Sequence, residues 1–505
     1  MNANIKKLII CFASFSSLAA CTKLDEEMYG SLSPDTYYKT EAEGLSSVAG
    51  VYQLLSYNVD INDPWRMGEF MTDEFIVPGR ASGGWFDQNN IDLTKHQQDA
   101  NNATNARAWK YMFQEIGTAN AVLESLQKSP NQDAMKPLIA ETRALRAYGY
   151  FYCMDYWGNI PLVTVARIDP NNLPTSTARA DIYKFIESEL LAAVDDIPSV
   201  TKVNRTTYYP RFTKESIYSI LAILYLNAEV YTGTPQWQKA SDMCDKVITS
   251  GAFDLESEVL NNFKSNLQAN SKEIISAFTV DPVKTAGNNQ FILYTQNALD
   301  QLKYALPFAP ANGYSTTQAV LDRYEDQDVR KTLIEYGPQT YLDGSPLKYA
   351  NGTQLVLVPV KDIISAQDNE GYKVLKYTPI GTTWSAYNGD NDLVMVRYSE
   401  ILLTKAEALF KLGNSSDALT LINKVRTRSK ASSLSSLTLQ NIEDERAREL
   451  LWEGCRRRDM IRFGDFFTGT WPFKTTQTEK YRGLLPIPNE QITANPNLKQ
   501  NPGYN

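Results

Sequence analysis

Two segments of the chain repeat one spacing of small and apolar residues, and this spacing constrains the fold more than any other feature. The matching positions lie at offsets 0, 3, 12, 16 and 19; they are Ala228, Tyr231, Ala240, Cys244 and Val247 in the first segment, and Ala406, Leu409, Ala418, Ile422 and Val425 in the second. A tetratricopeptide pair needs small residues where its two helices cross and bulky apolar residues one turn away. The spacing therefore predicts a mainly α protein built on tetratricopeptide-like helix pairs.

Apolar residues at helical spacing extend this prediction to most of the chain. Helices are predicted over residues 106–127, 136–157, 214–231, 237–249, 397–411, 415–428 and 443–463. The intervening segments at about 58–105 and 252–390 are polar, rich in turn residues and interrupted by short apolar runs, so we predict loop-rich insertions with a few short strands. A helical-repeat scaffold with large insertions fits better than a regular array.

The N-terminus has the form of a lipoprotein signal. Lys6 and Lys7 precede an apolar stretch, residues 8–18, that is too short to span a bilayer, and the stretch closes with Leu-Ala-Ala-Cys at 18–21. We predict that residues 1–20 are a signal peptide, that 21–505 is the mature chain, and that Cys21 carries lipid. Acyl chains contribute about 0.8 kcal/mol per buried methylene and anchor a protein to a membrane. The alternative is an ordinary signal peptide with an incidental cysteine.

Composition excludes several classes of protein. A net charge of −8 argues against a nucleic-acid partner, because phosphates require a basic surface. The single histidine, His96, excludes sites built from two or more histidines. Cys153, Cys244 and Cys455 lie in apolar helical segments and are predicted to be buried free thiols. We expect neither a metal nor a cofactor.

Four motifs resemble the SusD/RagB family, in the family's order. They are ETRALRAYGYFYCMDYWGNIPLV at 141–163, RYSEILLTKAEAL with ALTLINKVRTR within 397–428, IEDERARELLWEGCRRRDMIRFG at 442–464, and LLPIPNEQITANPNLKQNPGY at 484–504. The resemblance implies an outer-membrane lipoprotein with a tetratricopeptide scaffold. It also implies a SusC-like TonB-dependent transporter as partner, with the protein acting as its lid and delivering nutrients, usually oligosaccharides.

Two residue-rich features within these motifs are interpreted as structural. The charged side chains between Glu445 and Arg458 are expected to form ion pairs along one helix face and with neighbouring helices. The aromatic residues between Tyr148 and Trp157 resemble a sugar-binding stripe, but aromatic residues at helical spacing favour a core position.

The candidate ligand site is the loop MTDEFIVPGRASGGWFDQNN at 71–90, which resembles the family's binding loop. Matched to it, the candidate binding residues are Asp73, Arg80, Trp85, Asp87 and Asn90. An indole offers a flat apolar face to a pyranose ring, and the polar side chains offer directional hydrogen bonds to hydroxyls. The sequence departs from the family after Asn90, where Ile91-Asp92-Leu93 replaces a further aromatic residue. The alternative is a Gly-rich loop whose Trp packs locally.

Three aromatic residues of the second insertion, Tyr294, Tyr314 and Trp384, are further candidates, chosen for their polar, turn-rich surroundings. The sequence thus predicts a cell-surface, non-catalytic glycan-binding lipoprotein. One alternative is the same scaffold binding peptide or another nutrient. Another is a glycoside hydrolase, for which Asp73 and Glu74 would be the paired carboxyl groups; adjacent side chains usually point apart, which argues against it.

Overall fold

The structure is a computed structural model that describes residues 40–59, 63–281 and 289–504. The predicted signal peptide and Cys21 lie outside the described residues. Twenty α-helices are present in the described part: α1 Glu41–Val59, α2 Asp63–Glu69, α3 Gln88–Thr94, α4 Ala103–Gln127, α5 Gln132–Trp157, α6 Arg179–Val194, α7 Arg205–Tyr208, α8 Lys214–Leu226, α9 Ala228–Thr232, α10 Trp237–Ile248, α11 Ser265–Gln268, α12 Phe291–Thr295, α13 Asp300–Tyr304, α14 Gln318–Leu321, α15 Tyr398–Lys411, α16 Ser415–Arg428, α17 Leu439–Glu449, α18 Arg456–Phe463, α19 Asp465–Thr468 and α20 Asn489–Ala494.

The strands of the described residues are short and pair two by two, always antiparallel. They are β1 Ile160–Pro161, β2 Ser176–Thr177, β3 Ile274–Phe278, β4 Ile334–Glu335, β5 Gly337–Pro338, β6 Val356–Leu357, β7 Lys373–Val374, β8 Trp384–Ser385, β9 Asn388–Gly389 and β10 Leu393–Arg397. Only β3 and β10 reach five residues, and they pair with each other. The predicted fold class, mainly helical with a few short strands, is confirmed.

The helix pairs meet at the positions that the repeated spacing marks. Helix α10 packs against α8 and α15, and α15 packs against α16. Ala240, Ala406 and Ala418 are each completely buried at these crossings. Because their side chains are single methyl groups, the helix axes can approach closely and bury the apolar residues one turn away. This arrangement is the basis of the scaffold.

The aromatic stripe of α5 belongs to the core. Tyr148, Tyr150, Tyr156 and Trp157 are all buried, and Trp157 Nε1 donates a hydrogen bond of 2.8 Å to Asn105 of α4. Buried indole and phenol groups need such partners. The structural interpretation of this stripe therefore fits its burial.

The single helix predicted over 443–463 is wrong, because the segment forms two helices, α17 and α18, separated by a turn at 450–455. Trp452 and Gly454 have positive φ angles of 56° and 74°. The backbone N–H groups of these residues donate to buried carboxyl groups from a distant segment, Trp452 to Glu74 (3.0 Å) and Gly454 to Glu69 (2.7 Å). These tertiary hydrogen bonds replace the helical ones, and periodicity along the chain contains no sign of them.

The helix predicted over 214–231 is also divided, at Asn227, into α8 and α9. The Asn227 side chain donates to the Ile223 carbonyl (2.8 Å) and accepts from Arg462 (2.7 Å). A side chain that bonds its own helix in this way competes with the backbone ladder. Helix α9 ends at Gly233 in the left-handed conformation (φ 76°), as helix C-termini commonly do.

The charged residues of 445–458 form a buried network whose partners come mostly from other elements. Arg330 Nη1 lies 2.8 Å from both Glu445 Oε1 and Glu449 Oε2, and all three side chains are fully buried. Arg397 pairs with Glu273 (2.7 Å) and also with Glu449. The network joins α17 to the insertion and to β3–β10. Its members are mostly buried and contact one another, with Arg448 and Glu453 partly exposed.

Candidate functional site

The loop that carries Trp85 is a tight turn within residues 79–87. The Arg80 N–H donates to the Gly84 carbonyl (3.0 Å), and the Gly83 N–H donates to the Arg80 carbonyl (2.9 Å). Gly83 and Gly84 have φ angles of 105° and 86°, and Trp85 itself has a φ of 62°. Glycine adopts such angles without a steric penalty. The two glycines thus let the chain reverse and place the indole against the second insertion.

The Trp85 indole lies on the segment 311–314 of that insertion. Its Nε1 donates a hydrogen bond of 2.6 Å to the Ala311 carbonyl. A Cβ atom at Gly313 would come within 2.4 Å of the indole ring, so only glycine permits this approach. The indole meets Tyr294 edge-on, with ring centroids 5.4 Å apart, and Tyr314 at 5.6 Å. Trp85 is half-buried.

The two tyrosines beside Trp85 differ in accessibility. Tyr314 is 1% exposed and lies in the core, against Phe75. Tyr294, at the end of α12, is half-buried. The structure brings Trp85, Tyr294 and Tyr314 together, with Trp85 and Tyr294 half-buried and Tyr314 buried.

Arg80 connects three loops. Its side chain is 6% exposed, and it donates to the carbonyls of Asn312 (2.7 Å), Gln367 (3.0 Å) and Glu370 (2.7 Å). Burial lowers the pKa of Arg80 to about 10, while the carboxylates of Asp368 and Glu370 act in the opposite direction. The guanidinium group therefore holds the Trp85 loop to segments 311–315 and 366–370.

The remaining polar candidates of this loop bond to the protein itself. Asp73 accepts two hydrogen bonds from Arg456 (2.9 and 2.8 Å), and the arginines beside it lower its pKa against the effect of burial. Asp87 caps the N-terminus of α3 by accepting from the Asn89 N–H at 2.9 Å. Asn90 is buried and accepts from Thr104 at 3.1 Å. These three residues hold the loop to the helices.

Trp384 lies apart from the Trp85 cluster, on the β8–β9 hairpin. Its ring meets Phe308 edge-on at 5.1 Å, and the neighbouring Tyr387 is about half exposed. Phe308 is three residues before Ala311, which accepts the Trp85 hydrogen bond. Three peptide units span at most about 11 Å. The two aromatic groups therefore lie at the two ends of one short chain segment.

Sequence reasoning missed two exposed residues beside Trp85. Phe86 is 57% exposed, and a Cβ atom at Gly79 would lie 3.1 Å from Phe86 Cβ and 2.4 Å from the Ile364 carbonyl, which places this phenylalanine next to the 361–370 segment. Asp368 is exposed and accepts a hydrogen bond of 2.6 Å from the Ser82 hydroxyl. No local pattern marks Asp368, because it lies almost 300 residues from the loop that it contacts.

The Asp73–Glu74 pair lacks the accessibility that a glycosidase needs. Burial and the Asp73 carboxylate raise the pKa of Glu74 to about 7, against the opposing effect of Arg456 and Arg323. Its side chain is fully buried, however, and accepts from the Trp452 N–H. Catalytic carboxyl groups must reach both faces of a glycosidic bond. His96 is likewise buried, bonded to Thr478 (2.7 Å) and the Met71 carbonyl (3.0 Å), and burial lowers its pKa to about 3.

Known proteins share both halves of this architecture. A family model described as "SusD family" matches residues 256–504, and one described as "Starch-binding associating with outer membrane" matches residues 32–226. The starch-binding protein SusD of Bacteroides thetaiotaomicron is 27% identical over 496 residues, covering 87% of this chain and 85% of that protein. SusD-like protein P38 of Formosa agariphila is 24% identical, with 99% of each chain covered.

Solved structures share the fold. A SusD-like carbohydrate-binding protein from Bacteroides fragilis superposes with a TM-score of 0.76 at 19% identity, covering 92% of this chain and all of that one. Surface glycan-binding protein A from Bacteroides thetaiotaomicron, solved with laminarihexaose, superposes with a TM-score of 0.75 at 20% identity, with the same coverage.

The helix pairs and the large loop-rich insertions place the protein in the class of tetratricopeptide-like helical proteins. Within that class, the chain belongs to the SusD family, also written SusD/RagB. The family is associated with the outer membrane, and its members bind carbohydrate without catalysis. Among the described residues, none of the helices combines the length and apolarity that a membrane span requires.

Proposed function

We propose that the chain is a cell-surface lipoprotein that captures oligosaccharides and passes them to a SusC-like TonB-dependent transporter in the outer membrane. The family supports the carbohydrate ligand and the membrane association. The relatives named above include a starch-binding protein and a protein solved with laminarihexaose. Both ligands are neutral glucans.

The observation that carries the proposal is the set of contacts that fix the Trp85 side chain. The indole is held by the 2.6 Å hydrogen bond from Nε1 to Ala311, by the close approach to Gly313 and by the nearly perpendicular contact with Tyr294. A ring fixed in this way loses little conformational entropy when a sugar stacks on it. Aromatic faces of this kind are effective partners for the C–H side of a pyranose ring.

The candidate residues have two roles in this proposal. Trp85 and Tyr294 contact one sugar unit, and Trp384 contacts a more distant unit through the hairpin that also carries Tyr387. Tyr314, Arg80, Asp73, Asp87 and Asn90 position the Trp85 loop from within the protein. A ligand that contacts both aromatic groups would extend from one end of segment 308–311 to the other, as an oligosaccharide can.

The membrane attachment rests on the N-terminal sequence. Cleavage before Cys21 would leave residues 21–505 as one lipoprotein, with the insertions at about 58–105 and 252–390 carrying the ligand site. Lipid on Cys21 would hold this protein at the outer membrane, facing the cell exterior. There it could close over a transporter.

A glycan array probed with residues 22–505 tests the proposed ligand class. We expect retention of one or more oligosaccharides, followed by saturable binding in calorimetry and no new reducing ends after prolonged incubation. Absence of binding to every glycan, together with binding of peptides, would favour the alternative nutrient and contradict the proposal.

A further inference from the structure

An exposed carboxylate lies beside the proposed stacking face. We propose that Asp368 accepts hydrogen bonds from the hydroxyl groups of the sugar stacked on Trp85 and restricts this site to uncharged glycans. This inference rests on the proposed function, since it concerns the same site. Asp368 is not among the residues that resemblance to the family nominated.

Two sets of bonds place Asp368 next to Trp85. Its side chain accepts from the Ser82 hydroxyl at 2.6 Å, and Ser82 is three residues before Trp85 in the tight turn. Its main-chain carbonyl accepts from Asn312 (2.8 Å) and Asn297 (2.9 Å). Asn312 lies between Ala311, which accepts the indole N–H, and Gly313, which the indole covers. Asp368 and Trp85 therefore both bond to the short segment 311–313.

The carboxylate keeps capacity for a ligand. Within the residues that the structure describes, Oδ1 accepts the Ser82 bond, and no donor is recorded for Oδ2. An ionised carboxylate accepts up to four hydrogen bonds. Hydrogen bonds to a charged acceptor are stronger than those between neutral groups. Asp368 thus supplies the directional contact that the indole face lacks.

The charges around the site favour an uncharged sugar. Segments 79–87 and 361–370 together contain two cations, Arg80 and Lys361, against four carboxylates, Asp87, Asp362, Asp368 and Glu370. The Arg80 guanidinium and the Glu370 side chain are both buried, so neither is presented to a ligand, and Lys361 remains against Asp87, Asp362 and Asp368. A uronate or sulfate group placed here would meet like charge. A neutral hydroxyl would meet an acceptor.

The first experiment compares neutral and anionic polysaccharides in native affinity gels. The neutral probes are starch, laminarin, mannan and arabinan, and the anionic probes are alginate, polygalacturonate and chondroitin sulfate. We expect retardation by at least one neutral probe and none by the anionic probes. Stronger retardation by an anionic probe that is lost in Trp85→Ala would overturn the inference. Failure of every probe would count against the proposed function itself.

The second experiment measures Asp368→Asn against the neutral probe that the native protein retains. We expect binding to weaken roughly tenfold, as the loss of charge-assisted hydrogen bonds requires. The matched control is Asp362→Asn, an exposed aspartate of the same segment, which should bind within about twofold of the native protein. Both asparagines keep the Oδ1 acceptor, so the Ser82 bond and the Asp362–Ile364 turn persist.

The outcomes separate the inference from the proposed function. Native affinity in Asp368→Asn, with binding abolished in Trp85→Ala, would overturn the role of Asp368 and leave the stacking site intact. Equal weakening in Asp362→Asn would show that loss of any nearby negative charge weakens binding, and this result would also overturn the role of Asp368. Melting curves should coincide for the native protein and both variants, because the Asp368 carbonyl, not its side chain, bonds Asn297 and Asn312.

Discussion

The indole Nε1 of Trp85 lies 2.6 Å from the carbonyl oxygen of Ala311, a residue 226 positions further along the chain. This bond ties the Gly-rich loop of the first insertion to the second insertion. It fixes the tilt of the indole, while Gly313 fixes the distance of the ring from the backbone. The surface proposed to bind sugar therefore exists only where both insertions are folded.

Replacing Trp85 with alanine should abolish or sharply weaken glycan binding, because it removes the flat apolar face. Aromatic hot spots commonly contribute about 2 kcal/mol or more. Trp85→Phe keeps a ring but loses the bond to Ala311, so its affinity should lie between those of alanine and the native residue. Calorimetry with the glycan identified by the array checks both. Native affinity in Trp85→Ala would contradict the site, whereas a collapsed melting temperature would support the local-packing alternative.

Replacing Arg80 with alanine should destabilise the loop and weaken binding indirectly. The change leaves the buried carbonyls of Asn312 and Glu370, and the more exposed carbonyl of Gln367, without the Arg80 donor. An unsatisfied buried group costs about 1–3 kcal/mol. We expect a lower melting temperature together with a weaker affinity for the glycan. Asp368→Asn, in contrast, should weaken binding without lowering the melting temperature. Unchanged stability with lost affinity would instead make Arg80 a direct ligand contact.

Replacing Ala406 with tryptophan should overpack the scaffold. Ala406 is fully buried where α15 meets its neighbours, and overpacking costs roughly 1–3 kcal/mol or more. The matched control is Thr420→Trp at an exposed position of α16. Denaturant unfolding should show a lower midpoint for Ala406→Trp alone. Equal midpoints would remove Ala406 from the helix crossing.

The buried pair Glu69 and Glu74 predicts a pH-dependent stability. Burial and the neighbouring Glu74 carboxyl raise the pKa of Glu69 well above its ordinary value, and the pKa of Glu74 rises from 4.5 to about 7. The folded state then holds more protons than the unfolded chain. Its free energy of unfolding should therefore fall as the pH rises from about 4.5 to 7.

Replacing Glu69 with glutamine removes one of the two titrating carboxyl groups while keeping an acceptor for the Gly454 N–H. The measurement is urea unfolding at pH 5 and at pH 8. The free energy of unfolding of Glu69→Gln, relative to that of the native protein, should be higher at pH 8 than at pH 5. Glu490→Gln, an exposed glutamate, serves as control and should show no such change. A constant difference between Glu69→Gln and the native protein at both pH values would refute the shared titration.

Replacing Cys21 with alanine should release the protein from the membrane fraction, because lipid on that thiol is the proposed anchor. The measurement is fractionation after a high-salt wash, in cells that lack the partner transporter. Cys153→Ala, a change at a buried core thiol, controls for general effects of removing a cysteine. Retention of Cys21→Ala in the membrane fraction would contradict the lipoprotein hypothesis.

Local patterns predicted the scaffold well. The helix predicted over 415–428 has the bounds of α16, Ser415–Arg428, and the helix predicted over 237–249 differs from α10 by one residue. Both depend on apolar spacing within one segment. The helix predicted over 443–463 was wrong because Glu69 and Glu74 bond the turn at 450–455 from nearly 400 residues away.

The sequence nominated residues for the candidate site but contained no information on their arrangement. The sequence marked Trp85 by its Gly-rich, polar surroundings, and the structure places that half-buried residue beside Tyr294. The sequence could not distinguish Tyr294 from Tyr314, which is buried, since both lie in turn-rich segments. It also assigned Arg80 to the ligand, although the bonds of Arg80 go to three carbonyls of the protein.

The sequence by itself determined the helix pairs, because small and apolar residues at fixed offsets specify helix crossings within about 20 residues of chain. Only the tertiary structure decided which side chains reach the surface at the Trp85 loop. Ala311, Gly313 and Asp368 approach that loop from more than 220 residues away, through hydrogen bonds and a close backbone contact. Such contacts depend on how the two insertions pack against each other, and no periodicity in either insertion encodes that packing.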